Sequence, residues 1–201
     1  MGRARLLLAS PPLAGKHARD AAEGAAQPLE SLRVRLYPAG PGRPALSRRS
    51  LPGSALYGYG APIFAPGPGT VISSANDVAD NWYEGHDVKH PVGDDHNGLD
   101  NHVIIDHGDG EYSLLCHMKP GTVRVKTGDR VKRGQQLGQI GFSGDSFLPH
   151  LHYTLMSGPK QFSSEAEGLP SYFHKVRRVL GSNAREVSGK IDSGDIVESA
   201  R

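Results

Sequence analysis

Two histidines, His150 and His152, stand two positions apart, immediately before the β-forming run 153–156. In a β-strand, residues i and i+2 project from the same face, so this spacing predicts two neighbouring imidazoles. Imidazole is the commonest protein ligand for zinc and the usual proton carrier near neutral pH. The pair therefore predicts a metal site or an acid–base site; the alternative is two polar side chains on the solvated face of an antiparallel strand.

A third histidine, His117, ends a predicted β-hairpin. The runs 103–106 and 111–117 are rich in β-forming residues, and the Gly- and Asp-containing stretch 107–110 between them is typical of a tight turn. His117 is then a candidate for the same site. The alternative is a strand-end histidine whose ring nitrogen is satisfied by a neighbouring backbone group.

The composition favours short strands joined by turns. The chain has 26 glycines and 15 prolines in 201 residues, which argues against a helical bundle. Residues 128–141 alternate short apolar pieces with glycine, and residues 141–146 form a turn-rich stretch before His150. We therefore predict a mostly antiparallel β core, with these buried positions: Val71, Ile72, Val103, Ile105, Leu114, Val123, Val125, Val131, Leu137, Ile140, Leu151 and Tyr153.

Four blocks in a fixed order carry a family resemblance: residues 60–71, 103–117, 128–141 and 149–152. Together they resemble the lysostaphin-type zinc metallopeptidases, which cut peptide cross-links in bacterial cell walls. The resemblance implies an antiparallel β-sandwich-like domain, related to barrel-sandwich hybrids.

The resemblance also implies a division of the chain into three segments. Residues 57–157 are expected to form the peptidase domain, and residues 1–56, whose composition differs, a low-order or atypical N-terminal segment. Residues 158–201 are expected to form a C-terminal extension that packs on the domain or flanks it.

The resemblance further implies roles for the three histidines. In that family, zinc is held by a histidine and an aspartate of an H-x-x-x-D motif and by the second histidine of H-x-H. Carried over, His152 is the expected zinc ligand, and His117 and His150 are expected to assist catalysis. The implied substrates are peptidoglycan peptides, and the implied location is the cell envelope or the exterior.

The sequence departs from the family pattern upstream. The H-x-x-x-D motif should precede residues 60–71, yet residues 18–85 contain no histidine, and the residue four positions after His17 is Ala21. Residues 1–56 carry 9 Lys and Arg against 3 Asp and Glu, whereas residues 57–201 carry 14 against 18. This break predicts either a disordered leader or a shifted start that replaces the motif, and we favour the shifted start.

Two further explanations of the missing motif stay open. The string His96-Asn97-Gly98-Leu99-Asp100 has the letters of the motif, and antiparallel pairing of 102–106 with 111–117 would place it near His117. In the other explanation catalysis is lost, because His152 and His150 alone are too few ligands for tight zinc binding. The domain would then serve as a cell-wall-binding or regulatory module.

Other function classes find little support. A net charge of +2 gives no reason to expect a nucleic-acid partner, and no apolar run is long enough to span a membrane. No clear signal peptide is present, since the apolar run 6–9 is short. Cys116 beside His117 invites a cysteine-peptidase interpretation, but alternation along a strand would separate their side chains. Met118-Lys119 resembles the modified tip of biotinyl and lipoyl carriers, but Pro120 follows it.

Overall fold

The computed structural model describes residues 5–8, 34–39, 51–52, 58–91, 100–160, 166–180, 183–189, 191 and 196–199. Regular structure in these ranges is β throughout, which confirms the prediction of a mostly antiparallel β fold. None of these ranges contains a helix long and apolar enough to cross a membrane. The strands are β1 (Arg5–Leu8), β2 (Val34–Ala39), β3 (Leu51–Pro52), β4 (Pro62–Phe64), β5 (Gly69–Ser74), β6 (Trp82–Glu84), β7 (Asp87–Lys89), β8 (Val103–Gly108), β9 (Glu111–Cys116), β10 (Arg130–Val131), β11 (Gln136–Gln139), β12 (Leu151–Met156), β13 (Phe173–Leu180), β14 (Asn183–Gly189) and β15 (Ile196–Ser199).

The strands form one large and two small antiparallel sheets. The large sheet has the order β10-β5-β8-β9-β12-β2-β1-β15-β13-β14. The small sheets are β11-β4 and β3-β6-β7. Strands β9 and β12 are neighbours, and their register pairs His152 with Cys116. This pairing brings the end of β9, and therefore His117, beside the start of β12.

The β8–β9 hairpin has the turn that its sequence predicts. Gly108 pairs with Glu111, so Asp109 and Gly110 are the two turn residues, with φ of 53° and 77°. A two-residue type I′ turn needs positive φ at both central positions, and Asp-Gly tolerates this with little strain. The turn fixes the register of the hairpin, which in turn fixes where β9 ends.

Apolar side chains cover both faces of the central strands. On one face Val103, Leu115 and Tyr153 join a buried cluster with Ile63 of β4 and Leu137 of β11. A second cluster contains Ile104, Leu114, Cys116 and Met156. Most of the predicted core positions are buried, while three are only partly buried: Ile72, Val123 and Leu151.

The terminal segments extend the large sheet. Strand β2 pairs with β12 and β1 pairs with β15, so two strands from residues 1–56 join the sheet, although the sequence gives no sustained periodicity there. Within residues 1–56, the structure describes only 5–8, 34–39 and 51–52. Near the other end, Phe173 meets Tyr153 edge to face, with 6.2 Å between the ring centroids. The division at residues 56 and 157 remains a prediction.

Candidate metal and catalytic site

The structure brings the three sequence-predicted histidines together. His117 follows β9, His150 precedes β12, and His152 lies within β12. One ligand atom from each ring lies within 4.8 Å of the other two, and no other group of this kind is found among the described residues. The three residues are buried, with 4%, 1% and 4% of their surface exposed in chain order. The ring centroids of His117 lie 4.7 Å from those of His150 and 5.5 Å from those of His152.

The backbone of His117 explains how it reaches the other two rings. Its φ is 60°, a left-handed conformation that is uncommon for a residue other than glycine. Strand alternation therefore stops at this residue. Its neighbour Cys116 is buried in the second apolar cluster and is not a member of the histidine group.

Backbone carbonyls fix the orientation of two of the rings. His117 Nδ1 donates to Ser143 O at 2.8 Å, and His150 Nδ1 donates to Leu148 O at 2.8 Å. A carbonyl oxygen only accepts, so each Nδ1 carries the proton, and each Nε2 carries a lone pair. A metal or substrate contact from these two rings would use Nε2. The third ring differs, because His152 Nε2 lies 3.1 Å from the hydroxyl of Thr154.

The loop 141–149 that carries these carbonyls is itself held by hydrogen bonds from the segment 80–83. Asn81 Nδ2 donates to Gly144 O at 2.8 Å, and the backbone N of Phe142 donates to Asp80 Oδ1 at 2.7 Å. The hydroxyl of Tyr83 donates to Phe147 O. These contacts tie the loop to β6 and to the segment before it, so the carbonyls that orient His117 and His150 are fixed in place.

Asp80 also accepts a hydrogen bond from the hydroxyl of Tyr59. Burial, and next the hydrogen bond and charge of Asp80, raise the pKa of Tyr59 well above its ordinary value. Tyr59 therefore stays protonated and keeps donating to Asp80 over the whole working pH range.

A buried asparagine, Asn101, supports His117 from behind. Its side chain is fully buried, and Nδ2 donates to Val78 O at 2.7 Å and to Met118 O at 2.9 Å. Its backbone N donates to Ser143 Oγ at 3.1 Å. Asn101 thus joins the residue after His117 to the loop that carries the carbonyl partner of His117.

The structure describes one of the two residues proposed as relocated ligands. Asp100 lies 3.7 Å from His117 Nδ1 and 3.2 Å from His102 Nδ1. Since His117 Nδ1 faces Ser143 O, Asp100 approaches the side of the ring opposite the nitrogen that faces the cluster. Burial by itself lowers the pKa of His102, but the hydrogen bond and charge of Asp100 outweigh it, so the pKa is raised. His96 lies outside the described residues.

Four residues of the site are absent from the sequence-based prediction: Asn101, Ser143, Ser146 and Thr154. Ser146 Oγ lies 3.1 Å from His150 Nδ1 and donates to Leu148 O at 2.8 Å. Only Thr154 has a local signal, because it continues the i, i+2 spacing of the two strand histidines. Asn101 and Ser143 act through contacts between distant parts of the chain, whereas Ser146 contacts residues two and four positions away.

The donor set suits a transition metal, with some adjustment of the rings. Zinc binds imidazole nitrogen at about 2.0–2.1 Å, which places tetrahedral donors roughly 3.4 Å apart. The observed separations reach 4.8 Å, so binding by all three rings would require a contraction of about 1.4 Å at most. His117, His150 and His152 are therefore the described residues that could hold a metal.

Two curated proteins are similar to part of this chain. The chain is 28% identical over 111 residues to the peptidoglycan DD-endopeptidase ShyA of Vibrio cholerae serotype O1 (strain ATCC 39315 / El Tor Inaba N16961), covering 55% of this chain and 21% of that protein. It is 29% identical over 136 residues to the peptidoglycan DD-endopeptidase ShyC of the same strain, covering 66% and 27%. This chain thus spans only about a quarter of the length of these curated relatives.

Solved structures of similar sequence include the catalytic domain of the antimicrobial peptidase lysostaphin from Staphylococcus simulans. It is 27% identical, and the match covers 55% of this chain and 68% of that one, with a TM-score of 0.37. A TM-score of that size adds no weight to the assignment.

The family model for Peptidase family M23 matches residues 55–164. That range holds the three histidines, the hairpin and the loop 141–149, and it confirms the resemblance to lysostaphin-type peptidases. Because the match covers more than half of the 201 residues, this chain belongs to peptidase family M23.

Proposed function

We propose that this chain is a zinc-dependent endopeptidase that cleaves peptide cross-links of peptidoglycan. The observation that carries the proposal is the convergence of three buried histidines, with ligand atoms within 4.8 Å of one another, inside the M23 domain. Relatives named peptidoglycan DD-endopeptidases support the substrate class. The resemblance to lysostaphin-type zinc metallopeptidases supports the choice of metal. A location in the cell envelope or outside the cell belongs to the same proposal.

The three histidines divide the work in this proposal. His152 holds the zinc ion, while His117 and His150 assist the reaction. When bound, zinc would supply a Lewis acid that polarises the scissile carbonyl and acidifies a water molecule. His117 and His150 each keep a proton on Nδ1 and offer Nε2 to the cluster, so Nε2 can accept a proton and return it to the leaving amine. Burial of all three rings keeps bulk water from competing for these nitrogens.

Metal content and cleavage test this proposal together. Purified protein is assayed for zinc by elemental analysis, and is incubated with intact peptidoglycan sacculi while released peptides are identified by mass spectrometry. We expect about one zinc per chain, lost in His152→Ala. The matched control is His107→Ala, since His107 is held by Pro68 O and Ser113 Oγ outside the cluster. Equal zinc loss in both variants would count against His152 as the ligand.

Two further variants separate binding from proton transfer. His117→Ala and His150→Ala should retain zinc and lose cleavage by roughly 10²- to 10⁴-fold, the usual contribution of a general acid or base. Zinc loss in either variant would instead assign that ring to the metal.

The second candidate function is a cell-wall-binding or regulatory module without catalysis. The observation in its favour is the absence of histidine from residues 18–85, where the family's first ligand pair is expected. Wild-type protein that contains no zinc, releases no peptide and still sediments with sacculi would establish this alternative.

A further inference from the structure

The protein orients the three rings in two different ways. His117 and His150 donate to backbone carbonyls, which cannot donate in return, so their tautomers are fixed. His152 meets a hydroxyl instead, at 3.1 Å from Nε2 to Thr154 Oγ1. A hydroxyl can donate or accept, so this contact is compatible with either tautomer of His152 and does not fix the tautomer as a carbonyl would.

The surroundings of Thr154 favour valine on packing grounds alone. Its side chain is 1% exposed, it lies in the middle of β12, and it pairs across to Leu114 in β9. Met156, two residues further along β12, belongs to the same apolar cluster as Leu114. A buried hydroxyl in such surroundings is costly unless it has a hydrogen-bond partner, and valine has nearly the same shape. The hydroxyl of Thr154 therefore has a use beyond packing, and its partner is His152.

We propose that Thr154 is a positioning residue for the metal ligand His152. The Nε2–H of His152 donates to Thr154 Oγ1, which holds the ring in the tautomer whose Nδ1 carries the lone pair that binds the ion. A ring nitrogen held by a hydrogen bond on the far side of the ion is the usual arrangement for histidine ligands, and it also raises their basicity. The inference rests on the proposed function for the role of zinc, and adds the residue that prepares His152 for it.

Zinc affinity of the 201-residue chain tests the role of Thr154. The protein is stripped of metal and titrated with zinc against a chromophoric chelator. Thr154→Val should bind zinc roughly 10- to 100-fold more weakly than wild type, and Thr154→Ser, which keeps the hydroxyl, should stay within about threefold of it. Ser113→Ala is the matched control, because Ser113 is equally buried and contacts His107 Nε2 at 2.7 Å, outside the cluster. It should bind zinc like wild type.

A second measurement reads the tautomer directly and needs no metal. Nitrogen-15 NMR of the metal-free protein should show His152 protonated at Nε2 in wild type and in Thr154→Ser. Thr154→Val should shift a substantial fraction of His152 to the other tautomer. If valine prevents folding, Thr154→Ala carries the same comparison, because it removes the hydroxyl without adding a methyl group.

The outcomes separate this inference from the function on which it rests. Unchanged zinc affinity and an unchanged tautomer in Thr154→Val would overturn the role of Thr154. Equal weakening in Ser113→Ala would overturn it too, since any buried hydroxyl would then matter as much. If wild type binds no zinc, the proposed metal role fails, and the tautomer measurement still decides whether Thr154 orients His152.

Discussion

Replacing Asn101 by alanine should show how strongly one buried side chain holds the site in the fold. The Asn101 side chain is 0% exposed and makes three hydrogen bonds. Val78 N donates to its Oδ1 at 2.9 Å, while Nδ2 donates to Val78 O at 2.7 Å and to Met118 O at 2.9 Å. Alanine removes all three bonds and leaves their backbone partners in place.

The size of the expected loss follows from what those partners can do afterwards. Met118 O still accepts from Ser143 Oγ at 3.1 Å, and Val78 is half-buried, so water can reach part of its backbone. Each lost hydrogen bond should therefore cost its net contribution to stability, about 1 kcal/mol, and not the larger cost of leaving a buried polar group without a partner. We therefore expect the free energy of unfolding to fall by about 3 kcal/mol, a large effect for one substitution.

Denaturant unfolding of Asn101→Ala and of the matched variant Asn76→Ala measures this loss. Asn76 also bonds a backbone pair, since Val123 N donates to its Oδ1 at 2.9 Å and its Nδ2 donates to Val123 O at 3.5 Å. Asn76 is exposed, so water replaces these bonds, and the loss there should stay below about 1 kcal/mol. Equal losses in the two variants would refute the argument that burial gives Asn101 its weight.

Two further predictions concern the surroundings of the site. A Cβ at Gly141 would lie 2.4 Å from the Cα of Lys119, so Gly141→Ala should lower the free energy of unfolding by about 1–3 kcal/mol in denaturant melts, and an unchanged midpoint would contradict the contact. Because Asp100 raises the pKa of His102 in the folded protein, protonated His102 adds stability below the unfolded pKa of about 6.5, and this is lost as the pH rises through the folded pKa. Wild type should therefore exceed Asp100→Asn in unfolding free energy by more at about pH 5.5 than at about pH 9, and a difference that does not change with pH would argue against this linkage.

Features set by neighbouring residues could be predicted from the sequence. The Asp109-Gly110 turn, the two strands it joins and the spacing of His150 and His152 all depend on residues within a few positions of one another. Turn chemistry and strand alternation act over that range, so the hairpin and the neighbouring positions of His150 and His152 follow from them. The approach of His117 to this pair depends on the pairing of β9 with β12, and only the family resemblance predicts it.

Features set by contacts between distant residues could not be predicted. The φ of 60° at His117 lies outside the range that residues other than glycine prefer. Hydrogen bonds from Asn101 to Met118 O and from His117 to Ser143 O hold the chain in this conformation. Asn101 meets Val78 and Met118 across 23 and 17 positions, and no spacing rule connects them. Strand β2 likewise pairs with β12, which is distant in sequence, and the residues around β2 have no periodicity that would predict this pairing.

The H-x-x-x-D motif that residues 18–85 lack would affect metal affinity, whereas the orientation of the three histidine rings is set by other contacts. The groups that orient the three rings, Ser143 O, Leu148 O and Thr154 Oγ1, all come from the same stretch as the rings themselves. Residues 18–85 contribute indirectly, through the hydrogen bonds that join Asp80, Asn81 and Tyr83 to the loop 141–149. The family motif would contribute a carboxylate ligand, whereas the imidazole of His152 is a neutral donor that protons displace as the pH falls. A site without that carboxylate should bind metal more weakly and with greater sensitivity to acid, so zinc affinity measured against pH tests whether a carboxylate takes part in the site.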